Sequence, residues 1–277
     1  MAALSQRHEK FAQLHGAGCF VIPNPWDTGS ARMMAALGAQ ALATTSSGFA
    51  FTLGRPDLGT VSRDEALAHA AQMVSATNLP VTGDFENGFG DDPQTVAETI
   101  RLAREAGLSG CSIEDTSMTP GNPAYDFELA AERIKAAAAV AKKMADPFIL
   151  CARADGVMNS VYDMKEAIRR IKAFEAAGAD LLYVPVVPDL DSLRAVVRAV
   201  KKPVNALAAG VVARCSVADI AALGVRRISV GSQIARLTHA AIRDSVNGML
   251  KHGSFASFKN AASGSQIDPM LKKGAAG

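Results

Sequence analysis

The feature that most constrains this chain is a rhythm. Short apolar, β-branched runs alternate with Ala-rich stretches of helical period, and the cycle repeats eight times. The strand runs are 19–24 (CFVIPN), 41–46 (ALATTS), 80–86 (PVTGDFE), 110–115 (GCSIED), 147–155 (PFILCARAD), 181–186 (LLYVPV), 203–208 (PVNALA) and 226–231 (RRISVG). Strands apolar on both faces, each followed by a helix, belong in a parallel sheet covered on both sides. Eight such units predict a closed (β/α)8 barrel, and no G-x-G-x-x-G follows the first strand to favour a dinucleotide fold. Gly38, Gly107, Gly178 and Gly224 stand where left-handed helix stops are expected, and Ser62 and Ser216 where N-caps are expected.

The length of 277 residues suits one such barrel, so a single domain over residues 1–277 is expected. Extra C-terminal helix should run from Gln233 to about Asn260, followed by a loosely ordered, flexible tail at 261–277. The formal charge is only +2 and the basic residues are dispersed, which argues against a nucleic-acid or membrane surface. No apolar run approaches the roughly 18 residues that span a bilayer. The four cysteines are far apart and read as reduced thiols, so a cytoplasmic location is expected.

Barrel chemistry sits at the C-terminal strand ends. These collect Asn24, Asp27, Thr45 to Gly48, Asp84, Glu86, Glu114, Asp115, Arg153, Asp155, Tyr183, Asn205, Ser229, Gly231 and Ser232. None of the five histidines falls there, so neither a His-based metal site nor a Ser–His triad is at hand. No lysine does either, which disfavours a Schiff-base aldolase. Alternation places Asp84 and Glu86 on one face, with Glu114 able to reach them from the next strand. Three converging carboxylates without His or Cys call for a hard divalent cation, Mg2+ before Mn2+, bound directly by one carboxylate and through water by the others. The planar fork of Arg153 suits a substrate carboxylate, although a structural ion pair with an Asp is the competing reading. The segment TTSSG, leading into a loop, offers Ser46, Ser47 and Gly48 to an anion, or is simply a turn. Asp92 and Asp115 read as helix caps, Tyr183 and Ser232 as structural, Cys111 and Cys151 as core.

VTGDFENGFG, then SIED, then CARAD resembles the isocitrate lyase / phosphoenolpyruvate mutase superfamily. PNPWDTGSARMMAALGAQALATTSSG, LGRPD, PVNALA and ALGVRRISVGS extend the resemblance from about residue 10 to 245. The resemblance implies a (β/α)8 barrel that uses Mg2+ to make or break C–C or P–C bonds of small 2-oxo or 2-hydroxy acids through an enolate. It implies Asp84 as direct ligand, with Asp57, Glu86 and Glu114 holding metal-bound water. Ser46, Ser47 and Gly48 would meet the substrate, with Arg153 as the second anion clamp; Asn205 is a further substrate-binding candidate, and Ser46, Glu114 and Arg153 are the catalytic candidates. A dimer or tetramer formed by exchange of the C-terminal helix is also implied.

One departure matters. The lyase branch carries Lys-[Lys/Arg]-Cys-Gly-His after the fourth strand, whose thiol is the acid. Between Asp115 and Lys135 this chain has no Cys, His or Lys. Thr116 to Asp126 remains the natural gating loop, with Ser117, Thr119 and Asn122 as its polar groups. The expected function is therefore a Mg2+-dependent C–C lyase or decarboxylase. A phosphonopyruvate-type mutase or hydrolase is the alternative, and a non-catalytic organic-acid-binding barrel the rival from another class.

Overall fold

The computed structural model describes residues 2–121 and 123–276. The strands are β1 Phe20–Ile22, β2 Leu42–Ala43, β3 Val81–Asp84, β4 Gly110–Glu114, β5 Ile149–Arg153, β6 Leu181–Tyr183, β7 Val204–Leu207 and β8 Arg227–Ser229. Each falls inside one of the eight expected runs. All are parallel in the order β1-β8-β7-β6-β5-β4-β3-β2. The seam between β1 and β2 is bridged by Ala43 N–H donating to Pro23 O at 3.1 Å. Asn24 adds Nδ2–H to Thr44 O at 2.9 Å, so the barrel is nearly closed.

The helices are α1 Ala2–Leu14, α2 Thr28–Ala36, α3 Ser46–Thr52, α4 Arg63–Ala76, α5 Pro93–Glu105 and α6 Phe127–Ala141. They continue as α7 Met164–Ala177, α8 Leu190–Ala199, α9 Val217–Ala222, α10 Gln233–His252 and α11 Gly264–Lys273. Short polar side chains start them: Ser62 and Glu65 exchange hydrogen bonds across the first turn of α4, and Asp92 accepts from Thr95 N–H before α5. The four expected stop glycines all take positive φ. Residues such as Ile100, Leu108, Ile113 and Phe174 fill the layer between sheet and helices with 0% exposure, each stabilising the fold by about 1.5–3 kcal/mol. Inside the barrel, Phe20, Ile22, Ala41 and Ala43 pack on Phe11 of α1, which plugs the N-terminal end.

Two expectations differ from the structure. TTSSG is not a loop: Thr45 Oγ1 accepts from Gly48 N–H and caps α3 directly. The segment expected to be a loose tail contains α11, which docks on α2. Gln266 Oε1 accepts from Ser263 N–H at 2.9 Å and starts the helix. Gly274 then lies so close to the α2 backbone that a Cβ would sit 1.9 Å from Arg32 O. Ala276 N–H finally donates to Ala76 O at 3.1 Å. A glycine is required at that approach.

Candidate active site

A cavity of about 280 Å³ opens at the C-terminal ends of the strands. Thr44 Oγ1, at the end of β2, accepts from Asp84 N–H at 2.8 Å and fixes the last residue of β3. Asp84 in turn collects donors. Ser46 gives both its N–H and its hydroxyl to Oδ2 at 2.9 Å, and Arg153 Nη1 reaches Oδ1 at 2.9 Å. The same Nη1 lies 2.8 Å from Glu114 Oε1. The strand register explains the meeting, since Glu114 pairs with Arg153 across β4 and β5.

The two-pronged edge of Arg153 is occupied by Asp155, with Nε to Oδ1 at 3.0 Å and Nη2 to Oδ2 at 2.7 Å. The bidentate grip thus belongs to a fully buried aspartate, and only Nη1 faces the other acids. Both readings of this arginine meet in one residue: its fork is an ion pair and its remaining amino group is at the cavity. Asp155 is itself held from behind. Its N–H donates to Asp115 Oδ1 at 2.8 Å, while Asp115 Oδ2 accepts from Tyr162 OH and Arg170 Nη1 at 2.7 and 3.1 Å. Asp115 is therefore a buried anchor of this network and not a helix cap; Asp92 is the cap.

Of the expected residues, Asp57, Asp84, Glu114, Arg153, Ser46 and Ser47 line the cavity. Ser46 spends its donors on Asp84, and Gly48 N–H is taken by Thr45, so Ser47 is the free part of the α3 turn. Its Oγ is buried beside the Asp57 carboxylate, with no partner within ordinary hydrogen-bond distance among the described residues. Gly48 does not line the cavity; a Cβ there would lie 3.1 Å from Trp26 and 3.5 Å from Ala235.

Glu86 is not on the same face as Asp84. The strand ends at Asp84, and Glu86 adopts φ 45, which breaks the alternation. Its side chain turns behind the Asp57 loop, accepts from Gly59 N–H at 3.2 Å and leaves Oε2 buried and unpartnered. Asn205 is buried below the cavity, donating to Ser229 Oγ and accepting from Arg227 Nε. Its contacts are those of a support for the barrel interior. In the loop from Thr116 to Asp126, Thr116 bridges to Ala124 and Ser117 Oγ pairs with Thr119 Oγ1 at 2.7 Å. Neither Ser117 nor Thr119 lines the cavity, and Asn122 lies outside the described residues.

Several lining residues escaped the sequence reading. Tyr183 and Ser232 line the cavity, with the Tyr183 ring 5.2 Å from the Arg153 guanidinium carbon. Arg227 and Arg236 line it too. Arg227 alternates with Ser229 on β8, a period-two signal that pointed inward; Arg236 lies in the opening turns of α10 and left no comparable trace.

Burial sets the protonation of the acids. It pushes Glu86 up to about 7, helped by Asp84 and Asp57 and opposed by Gly59 N–H. It also raises Glu114, with Asp155, Asp84 and Glu86 adding and Arg153 opposing, and it raises Asp57. Among the described residues no three His, Cys, Asp or Glu side chains form a ready-made metal cage. The donor chemistry nevertheless fits a hard divalent cation. Asp57, Asp84 and Glu114 line one cavity, every donor is oxygen, and Glu86 behind them carries an unsatisfied buried oxygen. No helix among the described residues is long and apolar enough to cross a membrane.

A family model described as phosphoenolpyruvate phosphomutase matches residues 11–250. An uncharacterized protein of Mycobacterium tuberculosis is 35% identical over 225 residues, 80% of this chain and 81% of that protein. Oxaloacetate decarboxylase of Paraburkholderia xenovorans is 29% identical over 249 residues, 87% of this chain and 81% of the enzyme. A solved Burkholderia cenocepacia J2315 protein, described as a candidate lyase/mutase, is 43% identical with a TM-score of 0.92. That match covers 97% of this chain and 96% of the other.

Proposed function

Because the chain belongs to the phosphoenolpyruvate phosphomutase family, we propose that it is a Mg2+-dependent lyase that cleaves a C–C bond of a small 2-oxo or 2-hydroxy acid through an enolate, with decarboxylation the leading case. The observation that carries this reading is the composition of one cavity. Asp57, Asp84 and Glu114 share it with the guanidinium of Arg153, and among the described residues its lining contains no His, Lys or Cys. Such a site offers neither a strong nucleophile nor a thiol acid. It offers electrostatic stabilisation of negative charge, where one well-placed donor is worth about 3–4 kcal/mol.

Asp84 would hold the cation directly, with Asp57 and Glu114 beside it and Glu86 behind. Mg2+ bound there, or Mn2+ in its place, would supply Lewis-acid stabilisation of the enolate oxygen. The chain's own groups do the rest. Ser46 fixes the Asp84 carboxylate through two hydrogen bonds. Asp155 holds Arg153 so that Nη1 is presented toward the cavity. The free hydroxyl of Ser47 is available to the substrate's anionic end.

The size of the cavity supports a small acid, since about 280 Å³ falls just below the range for drug-sized ligands. The lack of Cys, His and Lys between Asp115 and Lys135 favours loss of a carboxylate over cleavage that needs a thiol, in line with the oxaloacetate decarboxylase that matches over 87% of the chain. Assembly by exchange of the C-terminal helix belongs to the same reading. Ile242, Val246 and Leu250 recur every four residues on α10 and are exposed, which suits a second copy of the chain. A screen of oxaloacetate, phosphonopyruvate and alkylmalates with Mg2+, read by pyruvate release and by consumption of each acid, tests the proposal. Release from oxaloacetate is expected. Turnover of phosphonopyruvate alone would move the assignment to P–C chemistry, and no turnover with retained binding would leave an acid-binding barrel.

A further inference from the structure

Loss of a carboxylate leaves an enolate that must gain a proton on carbon, and among the described residues the loop from Thr116 to Asp126 brings no side chain into the cavity lining. The side chains that ordinarily give such a proton are His, Cys, Lys, Asp, Glu and Tyr. The first three are missing from the lining among the described residues, and Asp57, Asp84 and Glu114 are the acids the cation would engage. Tyr183 remains. It is 7% exposed and lines the cavity, with its ring centre 5.2 Å from the Arg153 guanidinium carbon.

The chain has three tyrosines, and the other two spend their hydroxyls on aspartates: Tyr125 on Asp91 and Tyr162 on Asp115. Tyr183 is placed differently. It pairs with Arg153 across β5 and β6 and with Asn205 across β6 and β7, while Asn205 pairs with Arg227 on β8. The side chains that meet inside the barrel have a direction. Arginine can only donate, so Arg227 Nε–H, 2.8 Å from Asn205 Oδ1, fixes which end of that amide is oxygen. Asn205 Nδ2–H then faces Ser229 Oγ, which it meets at 2.9 Å. With an N–H aimed at its oxygen, the Ser229 hydroxyl turns its own hydrogen onward to its neighbour Tyr183. The phenol oxygen accepts from that side, and its own proton is left for the cavity. The same donor steadies the phenolate that remains once the proton is given up, and Arg153 adds positive charge beside the ring. Burial raises the phenol above its ordinary 10, with Asp155 adding and Arg153 and Ser229 opposing, so the proton is in place at neutral pH.

We infer that Tyr183 is the general acid that protonates the enolate carbon, and that Ser229, held by Asn205 and Arg227, is its positioning residue. The inference rests on the decarboxylase reading and deepens it. With oxaloacetate the C3–C4 bond breaks, its electron pair becomes the C2–C3 double bond of the enolate, and CO2 leaves. The Tyr183 O–H bond then breaks as the C3–H bond forms and the C2 carbonyl returns. The phenolate recovers its proton from water once pyruvate has left.

Two progress curves in Mg2+, corrected for the uncatalysed rate, test this. One follows loss of oxaloacetate; the other follows pyruvate through added lactate dehydrogenase, which reduces the keto form and not the enol. In the wild type the curves should coincide. In Tyr183→Phe, pyruvate formation on the enzyme should fall about a hundredfold or more. Oxaloacetate loss should fall by about tenfold or less, with pyruvate lagging behind it as enolpyruvate escapes and ketonises in solution. Ser229→Ala should show a shorter lag with the phenol still present. Coincident curves in Tyr183→Phe, at any rate of turnover, overturn the donor and leave Tyr183 only shaping the cavity. A lag there but none in Ser229→Ala keeps Tyr183 and removes Ser229 from its role. Should Tyr183→Phe fail to fold, coincident curves in Ser229→Ala overturn the inference and a lag upholds it. A lag in the wild type overturns the donor and keeps the lyase. No loss of oxaloacetate in the wild type sinks the decarboxylase reading itself, and the donor with it.

Discussion

Glu86 gives the sharpest test of how the acids at this site are balanced. Its carboxyl is raised from an ordinary 4.5 to about 7, chiefly by burial. Between those two pH values the folded chain keeps a proton that the unfolded chain has released. Stability therefore falls as pH rises through the window and remains lower above it. At about 1.4 kcal/mol per pH unit, the lift amounts to about 3 kcal/mol of destabilisation above pH 7. Glu86→Gln removes the charge but keeps an oxygen for Gly59 N–H. It leaves an amide nitrogen where Oε2 has no partner, which offsets about 1 kcal/mol of the gain. The variant should thus be more stable than the wild type by about 2 kcal/mol at pH 8, or roughly 4–8 °C in Tm, and show no gain at pH 4.5. Urea and thermal unfolding in chelator at both pH values measure this. A stability difference that does not change with pH, or a variant less stable at pH 8, would refute the argument that burial strains this carboxylate. In Mg2+ the order should reverse, because the wild type then gains stability from the ion.

Asp84→Ala should lower kcat/KM at least a thousandfold with the fold intact by circular dichroism; retained turnover would remove Asp84 from the centre of the site. Chelation should abolish pyruvate release, and added Mg2+ or Mn2+ should restore it. Asp155→Asn should free the Arg153 fork and break a largely buried ion pair, at about 3 kcal/mol of stability and a ten- to hundredfold loss in kcat/KM. An unchanged kcat/KM in that variant would show that Arg153 needs no anchor.

The eight strands were legible because each is apolar on both faces and bounded by turn residues, and the helix starts because Ser and Asp caps precede them. Asp84, Glu114 and Arg153 were legible because they end strands that are neighbours in the sheet. Glu86 misled because strand alternation was carried two residues too far, into a left-handed turn that sequence pattern does not announce. Asn205 misled in the opposite way: it points into the barrel, yet one layer below the cavity. The helix at Gly264–Lys273 was hidden by Pro269 and by glycines that read as disorder, although Gly274 is required by close packing. The contact between Arg236 and the cavity depends on the angle at which α10 leaves Gly231, which only tertiary structure fixes.

Asn24 joins three things that are otherwise separate: the end of β1, Thr44 at the end of β2, and the turn that launches α10. Among the described residues no ladder pairs β1 with β2, so this side-chain amide and the bond from Ala43 N–H to Pro23 O together act as the clasp of the cylinder at that stave. Opening of the barrel should begin at this seam. A ligand in the cavity that Asn24 helps to line would quiet that opening, so amide hydrogen exchange at Ala43, Val230 and Gly231 becomes a reporter of occupancy that needs no chemistry to occur.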